Sequence, residues 1–408
     1  MASLTAAGSI QSQPESPPAH NLALGYLRGF LVVLVLAHHS VLAYFKSPPP
    51  LPKSLTDPVR WWRAFPVIDQ HAHWPGFNLF IGFNDDFFMS LMFFVSGLFV
   101  WSSLRRKGSG TFGRDRVIRL GIPFLVAAAV VAPIAYYPTY LQSGGHGISG
   151  YAYAWMSFGD WPTGPAWFIW LLLAFDLAAA AIFAAIPGFG DALGRLCAGA
   201  RSHPVRFFLL FTVISIAVYT PMSLIYSANY WTSIGLFQFQ TSRLFLYAVY
   251  FLAGIGVGAY GVNRGLLASD GLLARHWGRW VAWGLTAFFL SVVYFFIVLA
   301  YRSAISPNLL GVAGGCVFAI TCGSLSFAFL ALFIRFATRR RWVYDRLSDN
   351  EYAMYLIHYM FVTWLQFALL SFALPAIGKG AMVFAGVLLL SWATSAALRS
   401  IPGVARVV

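Results

Sequence analysis

Long apolar runs separated by short polar stretches dominate the chain from residue 24 onward. The first covers 24–45. Others follow at 87–104, 117–137, 165–186, 205–227, 243–260, 277–301, 308–336, 352–374 and 380–400. About 20 residues suffice to cross a bilayer as a helix, so each run is read as a membrane helix. The run at 308–336 is longer than one crossing needs, which predicts a tilt or a bend, and the pair Gly314–Gly315 offers a place for it. The expected fold class is all-α, a polytopic membrane protein of about ten transmembrane helices. Residues 23–402 form one transmembrane domain. Residues 1–22, rich in Ser, Gln, Pro and Ala and without a basic n-region or cleavage pattern, read as a disordered tail.

Composition agrees with that pattern. The chain is 59% hydrophobic and 10% charged, with mean hydropathy +0.70, which excludes an ordinary soluble domain. The net charge of +14 does not point to nucleic acid, because the basic residues gather in alternate short loops. The second loop carries Arg105, Arg106, Lys107, Arg114 and Arg116; the eighth carries Arg339, Arg340, Arg341 and Arg346. The third loop, from Pro138 to Gly164, carries no Lys or Arg. Even-numbered loops and both termini are therefore expected in the cytoplasm. The first loop dissents with Lys46, Lys53, Arg60 and Arg63, although Asp57, Asp69, Asp85 and Asp86 offset them. Arg over Lys and a high Ala and Gly content point to a bacterial inner membrane. Three cysteines form no disulfide framework.

Against this apolar background a few ionisable residues stand out, since an intramembrane charge is costly and marks function or a buried partner. Arg28, His38 and His39 lie in the first run. Arg28 and His39 are eleven residues apart, only about 20° from a whole number of turns, so they share a face with a rise of roughly 16 Å between them. His38 points about 100° away. Arg116 and Arg119 share a face at the start of the third helix, where two guanidiniums beside a helix start suit phosphate, unless positive-inside sorting alone placed them. Asp176 sits near the middle of the fourth helix, with an imidazole as one partner that would suit it. Tyr352, Tyr355 and His358 advance by three within one stripe, read either as a lined passage or as a packed polar seam. Trp61, Trp62, Trp74, Trp155 and Trp161 lie in outer loops, as sugar-stacking faces or as an interfacial belt. His71 and His73 are read as an outer-loop pair, and no ligand set for a metal is recognised.

Several of these residues carry a resemblance. A basic residue, ten intervening positions and a histidine in the first membrane helix resemble the opening motif of the acyltransferase-3 family of integral membrane proteins. Phe93-Phe94, Ser96-Gly97, then Arg116, Arg119 and Pro123 are similar to its next element. PAWFIWLLL, with Trp167 and Phe168, and SDNEYAMYLIHY, with Ser348, Tyr352, Tyr355 and His358, are similar to later ones, in the family's order. The run from Met92 to Leu125 also resembles the branch that includes transferases acting on periplasmic glucans. The chain departs from the common pattern at Asn84-Asp85-Asp86, where many members are rich in glycine.

The resemblance implies a membrane O-acyltransferase that moves an acyl group from cytoplasmic acyl-CoA to a hydroxyl of an extracytoplasmic carbohydrate or glycolipid. His39 is then the general base or a transient acyl carrier. Arg28, Arg116, Arg119, Tyr355 and His358 bind the donor, with Trp167, Asp176 and Tyr352 in support. No cofactor beyond the acyl-CoA substrate and no nucleic-acid partner are expected, and both monomer and homodimer stay open. The competing reading is a transporter or flippase of an acyl or sugar-lipid substrate, against which no inverted repeat is visible.

Overall fold

The computed structural model describes residues 19–56, 61–157, 159–404 and 407, so most of the tail read at 1–22 lies outside the described residues. Among the described residues, ten long helical elements account for the architecture. They are α1 (Ala19–Val41), α2 (Pro75–Lys107), α3 (Ser109–Gln142), α4 (Gly164–Ala185), α5 (Pro204–Tyr226), α6 (Thr241–Tyr260), α7 (Trp277–Tyr301), α8 (Pro307–Phe336), α9 (Trp342–Ala368) and α10 (Ala376–Arg399). Among the described residues, nine are long and apolar enough to cross a membrane. The other, α9, is as long but begins with Asp345, Arg346, Asp349 and Glu351. The chain is an all-α polytopic membrane protein.

Three helices, α2, α3 and α9, begin well before their apolar patterns. Hydropathy marks what lipid would cover, whereas a helix continues wherever its backbone stays hydrogen-bonded. α2 starts at Pro75, a residue suited to a first helical turn, and is broken at Phe87, whose φ of −139° leaves the helical region. α3 starts among the basic residues and contains two π-helical turns, Val117–Gly121 and Ala127–Val131. In α8 the run is one continuous helix, and Gly314–Gly315 serves another purpose than a break. A Cβ on Gly314 would lie 3.0 Å from the Tyr294 hydroxyl of α7, and one on Gly315 would lie 2.5 Å from Thr220 Oγ1 of α5.

Small residues set the other close contacts, as they must where lipid competes for every apolar face. A Cβ on Gly97 of α2 would overlap the Phe251 carbonyl of α6 at 2.2 Å, and one on Gly254 would overlap the Phe94 carbonyl at 2.1 Å. Gly25 and Gly29 of α1 bring that helix onto Ser348 of α9, with Cβ positions 3.1 Å from its hydroxyl and 3.4 Å from its amide nitrogen. α1 also touches α2, α8 and α10, so it lies inside the bundle. Its most apolar window is 67% buried, against 11% for α7, which presents Phe289, Phe295 and Phe296 outward.

The loops at the two ends differ. Arg105, Arg106 and Lys107 close α2, and Arg339, Arg340 and Arg341 precede α9; this is the basic end. At the opposite end a hairpin, β1 (Trp231–Ile234) and β2 (Phe237–Gln240), pairs antiparallel with Trp231 across from Gln240. The Gly235 carbonyl at its tip accepts from the Trp161 amide at 3.0 Å, and Trp170 Nε1 donates to the Gln238 carbonyl at 2.8 Å. Arg63 pairs with Asp160 at 2.5 Å, so three separate connections are knitted together there. Asp69 anchors the first of them. It receives Lys379 Nζ of α10 at 2.6 Å and the amides of His71 and Ala72, each at 2.9 Å, with both charged side chains at most 2% exposed. Burial opposes charge on Asp69, but Lys379 and the two amides outweigh it and hold the carboxyl below its usual range.

Candidate active site

The face shared by Arg28 and His39 is turned toward α9. His39 stands two residues before the end of α1, and its ring lies 5.1 Å, centroid to centroid, from that of His358. His358 Nδ1 is 2.7 Å from the Tyr355 carbonyl, and a carbonyl only accepts, so this nitrogen carries the proton. Its Nε2 therefore accepts. The partner is His39 Nδ1 at 3.2 Å, which also lies 3.0 Å from the Val35 carbonyl. Both neighbours of His39 Nδ1 call for a donor, which leaves the lone pair of His39 on Nε2. No hydrogen bond engages that Nε2 among the described residues.

The surroundings fix this pair. His358 is fully buried while His39 is half-buried. Gln366 Nε2 donates to the carbonyls of His39 and Ser40 at 2.8 and 3.1 Å, holding the end of α1 against α9. Tyr359 packs edge-on to the His39 ring at 5.2 Å and joins Tyr136, Trp62 and Trp155 in a separate aromatic core at the end opposite the basic loops. Trp62 and Trp155 are buried there, whereas Trp61 and Trp74 are 53% and 41% exposed. His38 points elsewhere, stacked on Phe88 at 5.3 Å.

The stripe on α9 forms a seam with three different elements. Tyr352 donates to the Arg119 carbonyl of α3 at 2.6 Å, Tyr355 to the Pro165 carbonyl in the first turn of α4, and His358 meets α1. Gly164 makes the second contact feasible: its φ is +54°, and a Cβ would press within 3.1 Å of the Tyr359 ring. The Arg119 carbonyl belongs to the first π-helical turn of α3, a local widening that recurs at functional positions.

Toward the basic end, Arg28 Nε lies 3.0 Å from Glu351 of α9. Asp176 is buried, and its partner is a guanidinium rather than an imidazole: Arg116 Nε lies 3.1 Å away. Arg116 also stacks on Phe112 at 4.9 Å. Trp167 does not reach His39; it packs against Trp231 and Tyr247, with centroids 5.2 and 5.8 Å away.

Sequence reasoning misses Glu351, Tyr359 and Gln366. For Glu351 a signal exists: it is the only glutamate beyond Glu15, and it precedes His358 by seven residues, about 20° from two full turns. A charge–imidazole stripe on α9 thus mirrors the one on α1.

A family model described as an acyltransferase domain, that of acyltransferase-3, matches residues 21–396. No curated protein and no solved structure matches the chain. Since that match reaches from α1 into α10, the chain belongs to the acyltransferase-3 family and is a membrane enzyme that transfers acyl groups.

Proposed function

We propose that the protein transfers an acyl group from cytoplasmic acyl-CoA to a hydroxyl of a carbohydrate or glycolipid on the other side of a bacterial inner membrane. The observation that carries this reading is the imidazole pair. His39 has its Nδ1 committed and its Nε2 lone pair available, on the same helix face as Arg28, which lies toward the basic end.

In this reading the basic end faces the cytoplasm by the positive-inside rule. The donor's phosphates meet Arg119 and Arg28 there, with Arg116 beside them, and the thioester lies along the α1–α9 seam. His39 Nε2 takes the proton of the acceptor hydroxyl as its oxygen attacks the thioester carbonyl. The carbon–sulfur bond breaks, the ester forms, and the proton passes to the departing thiolate, giving free coenzyme A. His358 acts through His39, because its acceptor nitrogen keeps Nδ1 protonated and the ring aligned. Exposed Trp61, Trp74 and Tyr153 at the far end suit the stacking of a sugar ring.

The test is transfer from radiolabelled acetyl-CoA to a panel of glycans by purified protein. His39→Ala is expected to reduce the rate by about 10²–10⁴-fold at matched membrane level, the usual contribution of a general base. His38→Ala should keep substantial activity. His358→Phe, which retains the ring and loses the acceptor nitrogen, should fall between the two. Wild-type activity should decline as pH drops through the imidazole range, since a protonated ring takes no proton. Equal rates for wild type and His39→Ala would overturn the assignment.

A further inference from the structure

At the basic end a groove of about 480 Å³ opens between α1 and the end of α8, and no residue of α3, which carries Arg116 and Arg119, lines it. Its wall is apolar and aromatic, with Phe30, Phe333 and Phe336 along it and Tyr26 at its side, while Arg339 and Arg341 stand at its mouth. A second recess of about 600 Å³ adjoins it through Arg341 and Tyr344 and adds Arg340 and Trp342. Phe336 is 60% exposed and Trp342 68%, so the groove opens where large apolar side chains already face outward. No carboxylate pairs with Arg339, Arg340 or Arg341 among the described residues. The nearby Asp345 instead accepts from the Tyr26 hydroxyl at 2.7 Å, and that hydroxyl accepts from the Arg341 amide at 2.9 Å. These two bonds fix the groove floor to α9 and direct the Asp345 carboxylate to Tyr26 and not to a guanidinium.

The geometry points to a site for one anionic phospholipid, its phosphate held by Arg339 and Arg341 and an acyl chain laid along Phe30, Phe333 and Phe336. Three features select this occupant. Guanidinium forks match phosphate oxygens, and basic recesses between membrane helices at such an interface hold anionic headgroups. The depth of the groove is lined by hydrocarbon and aromatic rings, which suit a chain and not a hydrated anion. Trp342 and Tyr344 are exposed beside these arginines, and such aromatic residues are enriched at the headgroup level of a membrane. An occupant would brace α1 at Tyr26 and Phe30, each two positions from Arg28. The site stands independently of the chemistry proposed for His39.

The test uses delipidated, purified full-length protein titrated with short-chain phosphatidylglycerol and with the matching phosphatidylcholine, read by native mass spectrometry. Phosphatidylglycerol should bind at least tenfold more tightly. Arg339→Gln with Arg341→Gln should weaken it about 30-fold, since each basic residue near an anionic headgroup strengthens attraction several-fold. Phe333→Trp, which fills the groove and keeps every arginine, should weaken it as well. If the arginine variant does not accumulate, this second variant decides. Equal affinity for the two lipids, or unaltered binding in Phe333→Trp, would overturn the proposal. So would glycerol phosphate binding as tightly as the lipid, which would make this a free-phosphate site. Displacement of the lipid by acetyl-CoA mole for mole would overturn it too, and would hand the groove to the donor.

Discussion

The two polar contacts between α1 and α9 are built from different materials. At the basic end Arg28 and Glu351 form an ion pair whose side chains are 43% and 12% exposed. Roughly 16 Å further along α1, His39 meets His358, which is fully buried. Charge is tolerable at the first place because Arg28, 43% exposed, keeps part of its hydration while it neutralises the largely buried Glu351. At the second, an unpaired ion would cost several kcal/mol, whereas imidazole can sit neutral and still accept a proton. The far end also holds ion pairs, and the driest of them, Asp69–Lys379, is closed on itself and bound by two backbone amides. In the proposed mechanism charge serves recognition where it is wet and anchoring where it is dry, and the neutral pair between them is left for chemistry.

The largest stability effect expected from this contrast is at the dry pair. Lys379→Met leaves Asp69 buried without its cation and should cost about 3–5 kcal/mol, seen as a lower thermal midpoint in detergent. Adding Asp69→Asn should recover much of the loss, because the lone buried charge is then gone. The pH dependence has a definite sign. The Asp69 carboxyl is held below its ordinary value, so its contribution is complete above the unfolded carboxylate pKa of about 4 and disappears as pH falls through the lower folded value. Wild type should therefore lose stability below about pH 4, and the double variant should lack that component. Parallel acid profiles for the two would show that the pair does not anchor the first outer connection.

A middle-sized effect separates Arg116 from Arg119. Asp176 is 2% exposed in its side chain and rests on Arg116, so Arg116→Ala strands a buried carboxylate and should lower the amount of folded protein. Arg119 contributes to the fold through its carbonyl, which any residue supplies. Arg119→Ala should leave protein levels intact and raise the KM for acyl-CoA about tenfold or more, the usual weight of a hydrogen bond to a charged group. Normal levels and an unchanged KM in Arg119→Ala would remove it from the donor site.

Much of this arrangement is legible along the chain, and the remainder is hidden for identifiable reasons. Run length and hydropathy locate the helices, because burial in lipid selects composition directly. They misplace the start of α9, where Asp345, Asp349 and Glu351 continue a helix that no longer needs to be apolar. The Arg28–His39 stripe follows from spacing alone. The Glu351–His358 stripe is equally present, yet nothing local says that the two stripes face each other. That depends on Gly25 and Gly29 closing on Ser348, more than 300 residues away. Partners of intramembrane charges are unreadable on the same ground: Asp176 finds Arg116, and Lys379 finds Asp69 across 310 positions.

The smallest effect is the most discriminating for the wet contact. Because the Arg28–Glu351 pair is partly exposed, its loss should shift stability by no more than about 1 kcal/mol, and less at high salt. Stability alone will not reveal a function there, but kinetics can, since the two partners have opposite charge. If Arg28 holds a donor phosphate, Arg28→Gln should raise the KM for acyl-CoA several-fold. Glu351→Gln should lower it or leave it unchanged, because removing the carboxylate frees the guanidinium for the phosphate. If the pair only joins α1 to α9, both variants should behave alike, with equal small losses and no change in the donor's KM. The difference in sign between the two variants decides whether the basic end of the seam is a binding surface or a structural contact.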